Sequence, residues 1–375
     1  MARQPSGGMT ATYWVYDAHS DSMSRKSGNL LRRAGRRAYG AVSRAVSLTA
    51  RMQLPDGLSA ALLKRVCLEQ LGEPPEVATA VRLSEQMFPG TFRLLIRTKG
   101  GRQWSVVYKA ARYGSDHYFP AVGLPTAPGL PEYLLYTTPH ADLDPYLPAV
   151  YVARELRRAE SYRYLMEDLE DRYRPPLPTD LLSIVRQLPT LHTLLGAWAS
   201  GMLDSLPTYD VRWSESILEY ARNGIEEYAR QTTSETPAQV LRRWGAITRF
   251  YSERPQMRSI GGIHGDLKPS NLLVHRKLTA QIKLVDWDGV GLGPAHIDLV
   301  GLLAGSPSEL VEEALRIYAL RDGSLSLDEH RRMYEWCRLQ DILLSASRAV
   351  RRNARRVEGL MWQLLFACMK SPQRE

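Results

Sequence analysis

The pattern of hydrophobic and polar residues changes about halfway along the chain. In the first half, short apolar segments are separated by polar or glycine-containing turns, which is typical of β-strands. Five strands are predicted, at residues 77–83, 91–98, 103–110, 149–155 and 162–166. Ser59 stands before the apolar run that starts at Ala60, and it predicts a helix that ends at Leu71, directly before Gly72.

From about residue 178 onward, long amphipathic stretches replace the short segments. Helices are predicted at residues 181–199, 214–230, 237–254, 308–319, 327–351 and 357–369. Strands that come first and helices that come second favour an α+β fold of two segregated lobes over alternating βαβ units. Residues 113–131 are rich in proline and glycine and predict a loop.

Two polar loops interrupt the helical half. Residues 264–274 read His-Gly-Asp-Leu-Lys-Pro-Ser-Asn-Leu-Leu-Val, and residues 284–289 read Leu-Val-Asp-Trp-Asp-Gly. An apolar run follows Asn271 and another precedes Asp286, so short buried strands are expected to hold both loops. Phosphoryl transfer needs a carboxylate that orients and deprotonates a hydroxyl, and hard oxygen ligands for magnesium. The spacing therefore predicts Asp266 as catalytic base, with Asn271 and Asp286 as metal ligands.

At these residues the chain resembles the kinase-like phosphotransferases. The pattern His-x-Asp-x-x-x-x-Asn, followed by a metal-binding Asp, is the protein-kinase signature. Protein kinases usually carry Arg at the position of Gly265, and His-Gly-Asp looks instead like the aminoglycoside phosphotransferase and choline kinase branch, which phosphorylates small molecules. Residues 267–269 (Leu-Lys-Pro) are what protein kinases carry, so a protein- or lipid-directed kinase-like enzyme stays open. A catalytically inactive kinase-fold binding scaffold is the third alternative.

The resemblance implies a two-lobed protein kinase-like fold, with ATP and Mg²⁺ as cofactors and a small-molecule hydroxyl as acceptor. Residues 1–55 are predicted to form a basic N-terminal segment. Residues 56–168 are predicted to form a β-rich nucleotide-binding lobe with an antiparallel sheet. Residues 169–375 are predicted to form a larger helical lobe that carries out catalysis and binds the acceptor.

The resemblance also assigns three charged residues. Lys109 ends a segment similar to the third strand of kinases, where a lysine pairs with the α- and β-phosphates. Glu132 follows Pro131 at a predicted helix start and is similar to the acid that holds this lysine; a helix N-terminal acid favoured by the macrodipole is the alternative. Lys268 is assigned to neutralise charge on the transferred phosphoryl group. For both lysines the alternative is an ordinary surface residue.

The remaining nucleotide contacts are assigned less by side-chain chemistry than by position. Ser84 lies in the loop between the first two strands, where it or backbone amides would meet phosphate; an ordinary hairpin turn is the alternative. Backbone groups from Met166 to Asp168 resemble the hinge that recognises adenine; a buried strand end without a ligand is the alternative. Leu273 matches the apolar floor under the adenine ring, and a core leucine is compatible with that role.

Three polar residues near the loops receive structural interpretations. His264 is expected to brace the catalytic loop by hydrogen bonds rather than to act as an acid or base. Asp298 resembles the cap of a following helix. Asp288 is expected either near magnesium or facing solvent.

Composition adds limits rather than a function. The chain has 375 residues, of which 44% are hydrophobic and 24% charged, as in ordinary globular proteins. The formal charge is +9, and arginine concentrates at residues 32–44 and 348–356. The second set predicts a solvated helix face, whereas the first favours contact with an acidic partner or membrane surface; no nucleic-acid-binding module is recognisable.

Three cysteines, Cys67, Cys337 and Cys368, are odd in number and widely spaced. They predict small apolar core residues in a reducing cytoplasm, and neither a disulfide framework nor a zinc site. No secretory signal and no membrane-spanning segment is predicted.

Overall fold

The computed structural model describes residues 54–55, 57–83, 90–112, 129–138, 140–156, 161–252, 260–351 and 357–370. The predictions made for residues 1–53, for Ser84 and for residues 113–128 of the predicted loop 113–131 lie outside the described residues. At the end of that predicted loop, Leu130 and Pro131 are helical instead.

An antiparallel sheet with the spatial order β1-β2-β3-β5-β4 forms the first half of the described chain. Its strands are β1 (Pro75–Arg82), β2 (Thr91–Thr98), β3 (Gln103–Arg112), β4 (Val150–Leu156) and β5 (Ser161–Glu167). Helix α1 (Ala60–Leu71) precedes them. Ser59 Oγ accepts a hydrogen bond from the Leu62 N–H at 3.2 Å, and the helix ends at Gly72 with a φ of 73°. The predicted strands and helix ends are confirmed.

The sheet carries an apolar layer on each face. Helix α1 packs on one face, where Leu63 joins a buried cluster with Leu94 and Leu165. Helix α2 (Leu130–Thr137) packs on the other face, against Tyr164 and Met166. Successive residues of a strand point to opposite faces, which explains why Leu165 and its two neighbours in β5 belong to different layers.

The second half is built from helices around one large apolar core. They are α3 (Leu181–Val185), α4 (Leu188–Ala199), α5 (Val211–Gln231), α6 (Thr236–Arg242), α7 (Trp244–Ser252), α8 (His296–Leu302), α9 (Ser308–Asp322), α10 (Leu327–Arg351) and α11 (Val357–Lys370). Within the described ranges, no helix has the length and apolarity needed to cross a bilayer.

Two stretches that were predicted as single helices are each divided. The stretch 181–199 breaks between α3 and α4, because Pro189 has no N–H to donate to the preceding turn and begins a new helix as its second residue. The stretch 237–254 breaks at Arg243, whose N–H is shared between the carbonyls of Gln239 and Val240. Gly245 follows, and glycine has a low helix propensity.

Short strands link the helices to the two polar loops. They are β6 (Tyr173–Arg174), β7 (Gly261–Ile263), β8 (Leu272–His275), β9 (Ile282–Leu284) and β10 (Gly291–Gly293). Strands β6, β8 and β9 form one small sheet, and β7 pairs with β10 in another. The predicted buried strands beside the loops are thus confirmed, as is the α+β fold with a small antiparallel sheet and a larger helical part. Cys67 and Cys337 are buried free thiols, as expected.

Candidate active site

The β8–β9 hairpin brings the two candidate magnesium ligands to one end. Leu272 pairs with Leu284, and the Val285 N–H donates to the Asn271 carbonyl oxygen at 2.9 Å. Asn271 directly precedes β8, and Asp286 follows β9 after one intervening residue. The backbone register therefore places an amide and a carboxylate side by side at the hairpin end.

Asp266 lies between β7 and β8, and its carboxylate is half exposed. Lys268 Nζ donates to Asp266 Oδ2 at 2.7 Å. Asn271 Nδ2 donates to the same oxygen and to the Asp266 carbonyl, both at 3.0 Å. The amide nitrogen of Asn271 thus holds the candidate base. Its Oδ1, which receives only a long contact of 3.4 Å from Ser270, is the atom suited to a metal.

The two loops touch at Gly265. Its φ is 79°, a left-handed conformation that glycine adopts without a Cβ penalty. A Cβ at this position would lie 2.0 Å from the Gly289 carbonyl oxygen and 2.8 Å from the Tyr209 hydroxyl. Tyr209 donates its O–H to that same Gly289 oxygen at 2.7 Å. The close approach of the loops therefore requires glycine for steric reasons.

His264 braces the catalytic loop, as predicted. Its Nε2 lies 3.1 Å from the Val285 carbonyl and therefore donates, while its Nδ1 lies 3.4 Å from the Asp266 N–H and accepts. The ring packs on Trp287, with 4.4 Å between ring centroids. Burial lowers the pKa of His264, although the neighbouring carboxylates oppose this shift. A neutral imidazole that joins the two loops is consistent with all of these contacts.

Asp298 holds the catalytic loop from below. It is the third residue of α8 and does not cap that helix, so the prediction of a helix cap is wrong. Its carboxylate is fully buried and accepts the backbone N–H groups of His264 at 2.7 Å and Gly265 at 2.9 Å. His192 Nε2 contacts it at 3.2 Å, and Tyr318 contacts His192 Nδ1 at 2.9 Å. Asp298 therefore serves the loop rather than its own helix.

Lys109 joins the sheet to the metal-binding loop. Its Nζ lies 2.7 Å from Glu132 Oε2, 2.8 Å from Asp286 Oδ1 and 3.8 Å from Asp288 Oδ2. Glu132 lies in the first turn of α2 and its side chain is fully buried, whereas the side chain of Asp286 is 46% exposed. The structure thus brings together the predicted lysine, its predicted acid and one predicted metal ligand.

The charges in this group shift one another's pKa values. Burial alone would lower the pKa of Lys109, but Asp288, Glu132 and Asp286 raise it well above its ordinary value. Burial raises the pKa of Glu132, because Lys109 is shared among three carboxylates and only partly offsets the loss of solvent. Lys109 lowers the pKa of Asp286 to about 2. Asp286 is therefore the carboxylate best suited to stay ionised.

The donor set fits a magnesium ion that arrives with phosphates. Three carboxylates around one lysine leave excess negative charge. Glu132 Oε1, Asp288 Oδ1 and the Tyr136 hydroxyl are buried without a hydrogen-bond partner among the described residues. Those residues contain no group of three or more His, Cys, Asp or Glu side chains that would hold a metal by itself. Magnesium suits such a site, because it keeps several waters and binds through one or two carboxylates and substrate phosphates.

Asp286 has an unusual backbone conformation. Its φ of 68° and ψ of 58° are left-handed, and no other non-glycine residue in the described ranges has a positive φ. Such a conformation costs about 1–2 kcal/mol for a residue with a Cβ. Strain of this kind concentrates at functional sites, where the surroundings determine the conformation. The observation marks Asp286 independently of its sequence motif.

The three residues predicted to contact adenine differ in the direction and burial of their side chains. Met166 is paired within the sheet and its side chain is buried toward α2. The Asp168 side chain is not directed to a ligand: its Oδ2 lies 2.7 Å from Arg93 Nε and 2.5 Å from Ser105 Oγ. Leu273 is half-buried on the face of β8 opposite to its fully buried neighbours, which leaves it available as a floor.

Sequence reasoning missed several residues that shape this site. Arg93, His192, Tyr209 and Tyr318 carried no motif, because each acts on a partner more than 70 residues away along the chain. A contact between residues so far apart leaves no local pattern in one sequence. For His192 the sequence offers one signal, a histidine within an otherwise apolar predicted helix.

Comparisons with known proteins agree with this geometry. The model of the phosphotransferase enzyme family matches residues 133–336, more than half of the chain. No curated protein sequence matches. Among solved structures, wild-type aminoglycoside 2'-phosphotransferase-IIIa in complex with GDP is 13% identical, with a TM-score of 0.53 over 83% of this chain and 98% of that one.

Two further structures are similar to the chain. Choline kinase from Cryptosporidium parvum Iowa II is 9% identical, with a TM-score of 0.54 over 82% of this chain and 95% of that one. Spectinomycin phosphotransferase APH(9)-Ia in complex with ADP and spectinomycin is 11% identical, with a TM-score of 0.50 over 84% of this chain and 99% of that one. At these identities the structures show a shared fold, and the match of the family model shows that the chain belongs to the phosphotransferase enzyme family.

Proposed function

We propose that the protein is an ATP- and Mg²⁺-dependent phosphotransferase that moves the γ-phosphate to a hydroxyl group of a small molecule. The observation that supports this most is the position of Lys109, which contacts Glu132 and Asp286 at once. That contact joins a phosphate-binding lysine to Asp286, which the β8–β9 hairpin places beside Asn271, and Asn271 in turn contacts Asp266. Similar solved structures hold GDP or ADP, which supports use of a nucleotide.

In this proposal residues 56–168 supply the nucleotide contacts. Lys109 binds the α- and β-phosphates while Glu132 keeps it in place. The hinge from Met166 to Asp168 meets adenine through backbone groups, and Leu273 forms the floor under the ring. Ser84 or its backbone neighbours meet phosphate. The ion pair of Asp168 with Arg93 then acts indirectly, because it fixes the hinge to β2.

Residues 169–375 supply the chemistry. Asn271 Oδ1 and the Asp286 carboxylate hold Mg²⁺, which neutralises charge on the phosphates when it is bound. Asp266 accepts the proton of the acceptor hydroxyl as that oxygen bonds to the γ-phosphorus, and the bond to the β,γ-bridging oxygen breaks to release ADP. Lys268, 2.7 Å from Asp266, offsets charge on the transferred group. Most of the rate gain comes from positioning and electrostatics.

A small-molecule acceptor is favoured over a protein by Gly265. The steric requirement at this residue leaves no side chain before the catalytic Asp, where protein kinases use Arg to read a phosphorylated activation loop. Lys268 supports the second candidate, a protein- or lipid-directed activity. We also propose a reducing compartment such as the cytoplasm, since Cys67 and Cys337 are free thiols.

The test is a screen for ATP consumption with alcohols, amino sugars and nucleosides, alongside phosphate incorporation into protein. Asp266→Asn is expected to reduce turnover by about 10²–10⁴-fold while it largely preserves Mg-ATP binding. Asp204→Asn, which changes an exposed carboxylate remote from these loops in sequence, serves as the control. Asp266→Asn with turnover equal to the control refutes the assignment of the base. No stabilisation by Mg-ATP in a thermal-shift titration favours the inactive scaffold instead.

A further inference from the structure

A lysine on β9 reaches from the catalytic hairpin to the segment between α2 and β4. Lys283 Nζ donates to the Leu147 carbonyl at 2.5 Å and to the Asp144 carbonyl at 3.0 Å. Asp144 is the first residue of a short 3₁₀ helix, Asp144–Tyr146, and Leu147 is the residue directly after it. They lie 136 and 139 residues from Lys283 along the chain. The contact therefore links two distant parts of the fold.

The two carbonyl oxygens are bound by the ammonium group at the end of the long Lys283 side chain. A lysine ammonium carries three donors and no acceptor, which lets it reach the Leu147 carbonyl just after the helical turn and, at the same time, the Asp144 carbonyl, which also accepts the Leu147 N–H within the turn. Burial lowers the pKa of Lys283, and nearby Arg172 lowers it further, while Asp144 opposes both. Burial and Arg172 both disfavour the charged form of Lys283, and its contacts with two backbone carbonyls distinguish it from an ordinary surface lysine.

The position of Lys283 connects the two halves of the candidate site. It pairs with Leu273 in the β8–β9 hairpin, and the end of that hairpin carries Asn271 and Asp286. On the other side, the 3₁₀ helix lies between α2, which carries Glu132, and β4. Lys283 thus links two segments. One is the connection between α2, which carries Glu132, and β4; the other is β9, the strand that precedes Asp286.

We propose that Lys283 is a positioning residue for phosphoryl transfer. By holding the segment after α2 against β9, it keeps the Lys109–Glu132 pair and the Asn271–Asp286 pair in place when phosphate takes over the direct contact of Lys109 with Asp286. These pairs bind opposite ends of the nucleotide phosphates in the proposed function, on which this inference rests. A displacement between them would misplace the γ-phosphate relative to Asp266, and displacements of about 1 Å can cost about a hundredfold in rate.

Lys283 can be substituted without disturbing the core, because its side chain lies on the less buried face of β9. Its neighbours Ile282 and Leu284 are buried on the core face of β9, whereas Lys283 points to the opposite face and is only partly buried. Lys283→Met preserves the length and the apolar stem of the side chain and removes the donors. Lys283→Arg preserves a cation with several donors. Lys277→Met, at an exposed position in the turn between β8 and β9, is the matched control.

The experiment measures kcat, KM for Mg-ATP and KM for the best acceptor from the screen, together with Mg-ADP affinity by calorimetry. Lys283→Met is expected to lower kcat/KM for Mg-ATP by about ten- to a hundredfold and to weaken Mg-ADP binding, with the acceptor KM nearly unchanged. Lys283→Arg is expected to recover most of the loss, and Lys277→Met to match the wild type.

Three results overturn the inference. They are unchanged constants for Mg-ATP in Lys283→Met, a gain in its kcat, and an equal loss for both substrates that Lys283→Arg does not recover. The last of these would mean that the contact only supports folding. A wild-type protein that transfers no phosphate from ATP refutes the proposed function itself, so the two failures are distinguishable in the same set of assays.

Discussion

Asp298→Asn tests whether the catalytic loop depends on a buried carboxylate below it. Oδ2 of Asp298 accepts the His264 N–H and faces His192 Nε2, while Oδ1 accepts the Gly265 N–H. An asparagine side chain offers only one oxygen. In either orientation its NH₂ group faces at least one N–H donor, so at least one hydrogen bond is lost and a buried donor is left unsatisfied.

The expected cost follows from these contacts. Hydrogen bonds to a charged group contribute about 1.5–3 kcal/mol each, and an unsatisfied buried donor costs about 1–3 kcal/mol. These are two measures of the same loss, so we expect Asp298→Asn to lower the free energy of unfolding by about 2–3 kcal/mol. Native domains are stable by about 5–15 kcal/mol, so the variant is expected to fold but to be markedly weakened. Urea unfolding measures the difference.

The pH dependence has a definite sign. Burial alone would raise the pKa of Asp298, but hydrogen bonds from His192 and the His264 backbone lower it below its ordinary value of 3.8. A carboxylate with a lowered pKa stabilises the folded state above 3.8 and loses that contribution as pH falls through its folded pKa. The stability difference between wild type and Asp298→Asn should therefore be constant at neutral pH and should shrink below about pH 4.

Activity and a control complete the test. Because Asp298 contacts the loop backbone and not the reacting groups, we expect Asp298→Asn to lower kcat more than it changes KM for Mg-ATP. Asp328→Asn removes an exposed ion pair with Arg331 and should cost at most about 1 kcal/mol. A loss in Asp298→Asn no larger than in this control, or a difference that persists unchanged in acid, would refute the reasoning.

Further predictions concern the neighbouring groups. Gly265→Ala should remove activity and destabilise the protein by more than about 2 kcal/mol in urea unfolding, because a Cβ there combines a clash with a left-handed backbone. Glu132→Gln should weaken Mg-ADP binding in calorimetry. The uncharged amide would hold the Lys109 ammonium less firmly than the buried carboxylate, which lies 2.7 Å from it. Tyr318→Phe should cost about 1–2 kcal/mol in urea unfolding, because His192 Nδ1 loses its partner.

Local signals in the sequence determined the elements and the loops that could be predicted. Ser59 and Gly72 mark the ends of α1 through cap chemistry that involves residues three or four positions away. The loop spacing of Asp266, Asn271 and Asp286 could be read for the same reason: the β8–β9 hairpin that aligns them is short and apolar. The cap and hairpin predictions depended on partners close in sequence, whereas the grouping of Lys109 with Asp286, 177 residues away, came from the resemblance to a family.

The features that the sequence did not predict are contacts between residues that lie far apart in the chain and meet only in the folded protein. The hinge prediction at Asp168 concerned its backbone only, and the contact of its side chain with Arg93 on β2, 75 residues away, had no signal in the sequence. The cap prediction for Asp298 failed because the competing donors come from the catalytic loop, 33 and 34 residues earlier. Gly265 was read as a marker of acceptor class, and only the structure shows the steric contact with Gly289.

The contacts of Lys109 explain how such a site accepts a nucleotide without being rebuilt. Its pair with Asp286 involves a carboxylate that is 46% exposed and keeps contact with solvent, so phosphate can replace this partner more easily than the buried one. Its pair with Glu132 is buried, and breaking it would cost far more. We therefore expect Lys109 to keep Glu132 and to release Asp286 when Mg-ATP binds. Asp286 is then free for the metal in a backbone conformation that is already set.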